Sequence, residues 1–227
     1  LGDVYKRQDL TLPTYPLKRR FRRRLLDWYD RNGRDLPWRK TRDPYRILVS
    51  EIMLQQTQVD RVMPKYQEWL ERFPTFETLA KAPLRKAVQV WRPLLYNIRP
   101  RRLHTIAKHV VKYFDGRLPS DVETLKNFNG LGDYTVGAVQ CFAFGKRAPI
   151  VDTNIARVLF RVFVGNGDRD KHTVKQHIWV LSASLLPRKR FFDFNQALMD
   201  LGAMVCLARK PLSTKCPMRT ICATYAT

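Results

Sequence analysis

Asn129-Gly130-Leu131-Gly132-Asp133-Tyr134-Thr135 is the stretch on which the fold turns. Two glycines let the backbone reverse sharply and approach a ligand closely. Leu125 precedes the turn, and an apolar run that predicts a helix from about Tyr134 to Phe144 follows it. A helix starting at such a turn aims its free N–H groups outward, which favours an anion such as a DNA phosphate. Read alone, the turn serves equally well as a helix–helix connection without a ligand.

Outward from the turn the pattern stays helical. Upstream, Pro64, Pro74, Pro83, Pro93 and Pro119 punctuate helical stretches at about 58–72, 76–80, 84–90, 100–114 and 120–127. Before them, Leu17, Phe21, Leu25 and Trp28 form one face of a helix that Asn32-Gly33 stops. Asp43-Pro44-Tyr45 caps and opens another, which carries Ile47, Leu48, Ile52, Leu54 and Val59. Downstream, helices are predicted at about 151–163, 173–186 and 191–206. No long alternation of period two appears, so the fold class is all-α.

The charge points to a partner. The chain has 227 residues, with 42 Lys plus Arg against 20 Asp plus Glu, a formal net charge of +22. Such a surplus suits a polyanion, most simply nucleic acid, and not an ordinary metabolic enzyme. A 44% hydrophobic and 11% aromatic share excludes a disordered basic tail. No apolar run is long enough to span a bilayer, and no secretory pattern opens the sequence, so no membrane partner and a cytoplasmic, nucleoid-associated location are expected. Residues 1–8 fit no pattern and read as a non-native leader.

Twenty residues past Gly132 stands Val151-Asp152-Thr153-Asn154. Asp152 opens a helix, and an N-cap is the plain reading of it. Taken in order, however, the motifs resemble a family. They are Leu36-Pro37-Trp38-Arg39, Asp43-Pro44-Tyr45, Ser50-Glu51-Ile52-Met53-Leu54-Gln55-Gln56-Thr57, Gly130-Leu131-Gly132-Asp133-Tyr134-Thr135, Val151-Asp152 and Phe194-Asn195-Gln196-Ala197-Leu198-Met199-Asp200. The set resembles the helix-hairpin-helix DNA glycosylase superfamily that contains endonuclease III, in its mismatch branch. The resemblance covers about residues 20–225.

The resemblance implies roles. Asp152 matches the catalytic carboxylate that stabilises positive charge on the deoxyribose as a base leaves. Glu51 matches a second catalytic carboxylate, which protonates the base or positions water. Tyr134 stands where bifunctional members carry a nucleophilic Lys, so a monofunctional enzyme is expected. Asn129, Gly130, Leu131 and Gly132 match the phosphate-gripping hairpin. Gln55, Gln56 and Thr57 match a wedge that fills the space of an extruded base. Leu94, Leu95 and Tyr96 resemble a second intercalating loop, with Leu95 where a Gly is usual. Arg19, Arg20, Arg22, Arg23, Arg99, Arg101, Arg102, Arg188, Lys189, Arg190, Arg209 and Lys210 are expected to supply a positive field along the DNA.

Relatives carry four cysteines in a C-x6-C-x2-C-x5-C motif. Here nine residues separate Cys206 from Cys216 and five separate Cys216 from Cys222, which keeps the register and puts Ser213 at the missing ligand. Three thiolates at that spacing favour a [4Fe-4S] cluster with Ser213 at the fourth position. The alternatives are an apo domain held by packing, an iron open to water, or zinc. Cys141 reads as a core residue.

The expected organisation is two helical domains with a DNA-binding cleft. Residues 38–148 form one, carrying the hairpin; residues 9–37 plus 149–227 form the other, carrying the cysteines, with Asp152 near the junction. The expected function is excision of thymine or uracil opposite guanine from double-stranded DNA by a monomer. Arg92-Pro93-Leu94, which departs from the Gly-rich loop usual in adenine enzymes, and the short C-terminal end favour that over the first alternative, adenine excision opposite guanine or 8-oxoguanine. The Leu54-Gln55-Gln56-Thr57 string, typical of the adenine enzymes, pulls the other way. The second alternative is a non-catalytic basic DNA-binding protein.

Overall fold

A computed structural model describes residues 11–226 of the chain. The predicted leader, residues 1–8, lies outside the described residues. Twelve α-helices and no strand occur among the described residues. The chain divides into two compact units: Asp35–Ala148, and a second built from the segments before and after it.

Helix α1 (Tyr15–Asn32) opens the flanking unit and buries Phe21, Leu25 and Trp28 on one stripe. Leu17, at the start of the predicted face, is only half-buried. Gly33 ends the helix by donating its N–H to the Tyr29 carbonyl at 2.8 Å.

The inner unit holds α2 (Pro44–Leu54), α3 (Val59–Arg72), α4 (Phe76–Lys81), α5 (Leu84–Trp91), α6 (Ile98–Tyr113), α7 (Val122–Asn127) and α8 (Asp133–Phe142). Its core is aromatic. Trp69 meets Trp91 at 5.3 Å and Phe73 at 4.9 Å between ring centroids. The Trp69 indole donates to the Tyr45 hydroxyl at 3.1 Å, which donates to the Phe73 carbonyl at 2.6 Å. Every buried polar group in that line is answered, and burial raises the Tyr45 hydroxyl's pKa well above its usual value. Asp43 caps α2 by accepting from the Arg46 N–H at 3.1 Å, as Asp before Pro predicts.

The flanking unit continues with α9 (Thr153–Leu159), α10 (His172–Leu185), α11 (Phe191–Met204) and α12 (Ala223–Ala226). The single helix predicted at 151–163 is instead α9 followed by a π-turn over Phe160–Val164. The extra residue in such a turn re-aims the side chains around it. Helix α11 packs between α1 and α9, and Phe21 sits 5.0 Å from Phe163 and 6.1 Å from Phe194 between centroids.

Asp200 on α11 is fully buried. Its carboxylate accepts from the Arg34 backbone N–H at 2.9 Å and from the Arg34 guanidinium at 2.7 Å. Removing one partner of a buried pair costs several kcal/mol, because the survivor stays desolvated. Arg34 keeps some access to water, so Asp200→Asn should lower unfolding stability by about 3 kcal/mol. Urea denaturation with an unchanged slope checks this; a loss below about 0.5 kcal/mol contradicts it.

Candidate functional site

Candidate residues lie in each of the two units. In the inner unit, α2 places Glu51 among its buried residues, with 4% of its surface exposed. Past the end of α2, Gln55 donates from Nε2 to the Gly130 carbonyl at 3.2 Å and lies 3.5 Å from the Thr135 hydroxyl. That ties the predicted wedge to the predicted hairpin. Gln56 is exposed and takes the left-handed conformation, φ 55°. Thr57 closes the turn by donating its N–H to the Leu54 carbonyl at 3.3 Å.

The hairpin forms between α7 and α8. Gly130 has φ +95°, and a Cβ there would lie 2.7 Å from the Arg102 side chain. The positive φ favours glycine, and any side chain added there would also displace Arg102. Leu131 is buried and anchors the turn, while Asn129 and Gly132 are exposed. The N-cap residue Gly132 offers α8 no side-chain cap, and a helix N-terminus favours an anion. Tyr134 is half-buried in the first turn of α8.

The predicted second loop needs revision. Leu94 is 2% exposed and packs inward, leaving only Leu95 and Tyr96, each 56% exposed, at the surface. Leu95 has φ 61° and ψ −170°, a region that glycine alone adopts easily. Where relatives are expected to have a Gly, this chain keeps the glycine geometry and carries a leucine in it.

In the flanking unit, Asp152 caps α9. Its Oδ1 accepts from the Ile155 N–H at 2.7 Å, and its Oδ2 accepts from the Asn154 side chain at 3.0 Å. So the capping role is real, and it also holds both carboxylate oxygens in place. Burial raises the Asp152 pKa above its usual value, and the bonds from Ile155 and Asn154 pull against that. Asn154 is itself fixed, since Arg157 donates to its Oδ1 at 2.8 Å and to the Gly202 and Cys206 carbonyls at 2.7 Å each. Asn154 and Arg157 were missed in the sequence. Only the spacing of Asn154, two residues past Asp152 in the helix N-terminus, could have signalled it.

The basic residues divide. Arg22 donates to the Ser184 and Leu185 carbonyls at 2.9 and 2.7 Å. Arg20 donates to the Thr220 hydroxyl at 3.2 Å, and Arg190 is paired with Asp30 and Asp193. Arg99 is 3% exposed. Buried Arg99 and half-buried Arg22 are thus taken up by the fold, whereas Arg20 and Arg190 stay exposed despite their partners. Arg19, Arg23, Arg101, Arg188, Lys189, Arg209 and Lys210 are exposed.

A four-iron cluster is common in endonuclease III-like proteins, and such clusters take four thiolates. This chain offers the Cys206, Cys216 and Cys222 thiols and the Ser213 hydroxyl. No three metal-ligating side chains are gathered as a site among the described residues. The Cys206 sulfur accepts from Arg161 at 3.4 Å, and the Cys222 thiol donates to the Arg161 carbonyl at 3.4 Å. Burial, reinforced by the neighbouring Cys206 and Cys222, raises the Cys216 thiol's pKa. The donor set does not fit a four-thiolate cluster. Instead Arg161, in the π-turn, holds the segment through the Leu207 and Ala208 carbonyls at 2.7 and 2.9 Å. Cys141 is buried in the core.

A helical fold with this hairpin, the buried Glu51 and the half-buried Asp152 defines a class. Residues 49–184 match the model described as HhH-GPD superfamily base excision DNA repair protein, and the chain belongs to that family. Its DNA glycosylases hydrolyse N-glycosidic bonds. The chain is 43% identical over 211 residues to the adenine DNA glycosylase of Homo sapiens, covering 89% of this chain and 39% of that protein. It is 43% identical over 197 residues to the adenine DNA glycosylase of Mycobacterium tuberculosis, covering 86% of this chain and 64% of that protein. The chain thus spans between about two fifths and two thirds of the length of these relatives. The structure of a thermostable thymine-DNA glycosylase superposes with a TM-score of 0.85 at 35% identity, covering 92% of this chain and 96% of the other. A DNA-trapped endonuclease III shares the fold, with a TM-score of 0.81 at 21% identity, covering 95% of this chain and 98% of the other.

These relatives overturn the expectation of thymine or uracil as target. Relatives named adenine DNA glycosylase from mammals, mycobacteria and a plant are 37 to 43% identical to this chain. The Leu54-Gln55-Gln56-Thr57 string points the same way as these relatives. Arg92-Pro93-Leu94 was read as a departure from the adenine enzymes, but Leu95 retains the glycine-like turn. Where the chain stops says nothing about the target. Among the described residues no helix is long and apolar enough to cross a membrane.

The Asp152 geometry predicts a titration. Carbon-13 NMR of the side-chain carboxyl should place its pKa above 3.8. Asn154→Ala removes a bond that lowers the value and should raise it further. A carboxyl whose pKa rises on folding adds stability below its unfolded pKa, and that contribution is lost as pH climbs through the folded value. Asp152 in its ionised form is therefore a cost to the fold, and Asp152→Asn should not destabilise the protein at neutral pH by more than the lost cap, about 1 kcal/mol.

Proposed function

We propose that this chain is a monofunctional adenine-DNA glycosylase, acting on adenine opposite guanine or 8-oxoguanine in duplex DNA. The observation that carries this reading is the 43% identity to the human adenine DNA glycosylase across 89% of the chain. The buried Glu51 and the bonded Asp152 supply the two carboxylates such chemistry uses.

In the proposed reaction the bond between C1′ and the base nitrogen breaks, and its electron pair leaves with the base. Glu51, in its protonated form, donates a proton to a ring nitrogen of the departing adenine. Ionised Asp152 faces the positive charge that grows on the sugar, with its oxygens already fixed by Ile155 and Asn154. Water adds at C1′ and loses a proton to solvent. Tyr134 carries no amine, so no Schiff base forms and the strand stays intact. The α8 N-terminus and the Gly130–Gly132 turn take a backbone phosphate, and Gln56, Leu95 and Tyr96 stand at exposed turn tips suited to entering the stack.

Duplexes containing A·8-oxoguanine, A·G, T·G and U·G, treated with enzyme and then alkali, test the proposal. Adenine release with negligible thymine or uracil release is expected. Asp152→Asn should reduce single-turnover excision at least about 1,000-fold, a loss near 4 kcal/mol, with DNA affinity nearly intact. Tyr134→Lys should add strand nicking. Binding without release of any base would leave the non-catalytic DNA-binding reading in its place.

Iron analysis addresses the cysteines. Ser213→Cys restores four thiols and should hold at least about twice the iron of the parent chain after anaerobic purification. Equal iron in both would show that the fourth donor is immaterial.

A further inference from the structure

Arg99 joins two turns that the sequence keeps 40 residues apart. Its Nη1 donates to the Met53 carbonyl at 2.9 Å, to the Gln55 carbonyl and to the Thr57 hydroxyl at 3.0 Å. Its Nη2 donates to the Leu94 and Leu95 carbonyls at 2.9 and 3.2 Å. One nitrogen of the fork thus serves each turn. The guanidinium also lies 5.4 Å from the Trp91 ring centroid and 5.3 Å from that of Tyr96.

Both turns are strained. Gln56, Leu95 and Tyr96 have φ of 55°, 61° and 50°, all outside the range L side chains favour. Such residues persist only where their surroundings over-determine them. A buried guanidinium has five donors in a rigid plane, and a lysine ammonium cannot span two sets of carbonyls in that way.

We infer that Arg99 is a positioning residue for base extrusion: it locks the Gln56 turn and the Leu95-Tyr96 turn into one rigid wedge, so that both enter the duplex together. This rests on the proposed glycosylase reading for its outcome on DNA, but not for the coupling of the turns. The exposed tips supply apolar and amide surface to replace a lost stacking partner. The buried clamp removes the entropy that two independent loops would lose on insertion.

The test is a stability cycle plus an extrusion assay. Leu95→Gly relieves the backbone that Arg99 holds, so the cost of Arg99→Lys in melting temperature should be at least halved in the Leu95→Gly background. If Arg99→Lys alone fails to fold, the double variant should recover the fold. An equal cost in both backgrounds, or no recovery, overturns the inference, since Arg99 would then be a core residue like any other. On DNA, 2-aminopurine replaces the mispaired adenine and its fluorescence reports extrusion. Arg99→Lys, or the double variant against Leu95→Gly, should lose at least about tenfold in extrusion, with affinity for matched duplex within about threefold. Undiminished extrusion overturns the inference. If the parent chain itself neither extrudes nor excises adenine, the glycosylase reading fails, and the stability cycle still decides whether Arg99 couples the turns.

Discussion

The flanking unit depends on the Asp200 carboxylate. A carboxylate without water must be answered by cations and N–H groups, or the fold does not form. Here Arg34 answers it with its backbone and its guanidinium at once. That contact fixes the end of the first segment against α11, more than 160 residues later in the chain. Helix α11 in turn presses on α9, whose N-terminus carries Asp152. A buried ion pair therefore helps set where a candidate catalytic carboxylate stands.

A second theme is the use of arginine against backbone carbonyls. Helix C-termini leave carbonyls without partners and carry partial negative charge. Arg22 takes those at the end of α10, Arg157 takes Gly202 and Cys206 around the end of α11, and Arg99 takes those at the end of α2. These three arginines thus hold helix ends. The exposed remainder is what a polyanion meets, and that part alone governs salt dependence.

Strain and rigidity occur together at the turn tips. Leucine at a glycine-only conformation costs about 1–3 kcal/mol, and the Arg99 fork supplies the bonds that hold it. Natural proteins retain such costs where geometry matters more than stability. The Asp152 site shows the same logic in electrostatic form. Its carboxylate is held by two donors despite the burial that disfavours its charge.

The all-helical fold, most helix bounds and the N-cap at Asp43 were legible in the residues, because they rest on local periodicity, proline punctuation and capping chemistry. The hairpin was legible too, since the positive φ at Gly130 favours glycine. Base preference was misread, because one loop substitution and the chain's end were weighed above the Leu54-Gln55-Gln56-Thr57 string. The π-turn at Phe160–Val164, the inward Leu94, and the partners of Asn154, Arg161 and Arg99 belonged to tertiary structure alone. An arginine looks the same in sequence whether water or a ring of carbonyls surrounds it. Which of these applies is decided by where distant helix ends are brought, and that information lies in the packing and not in any local run of residues.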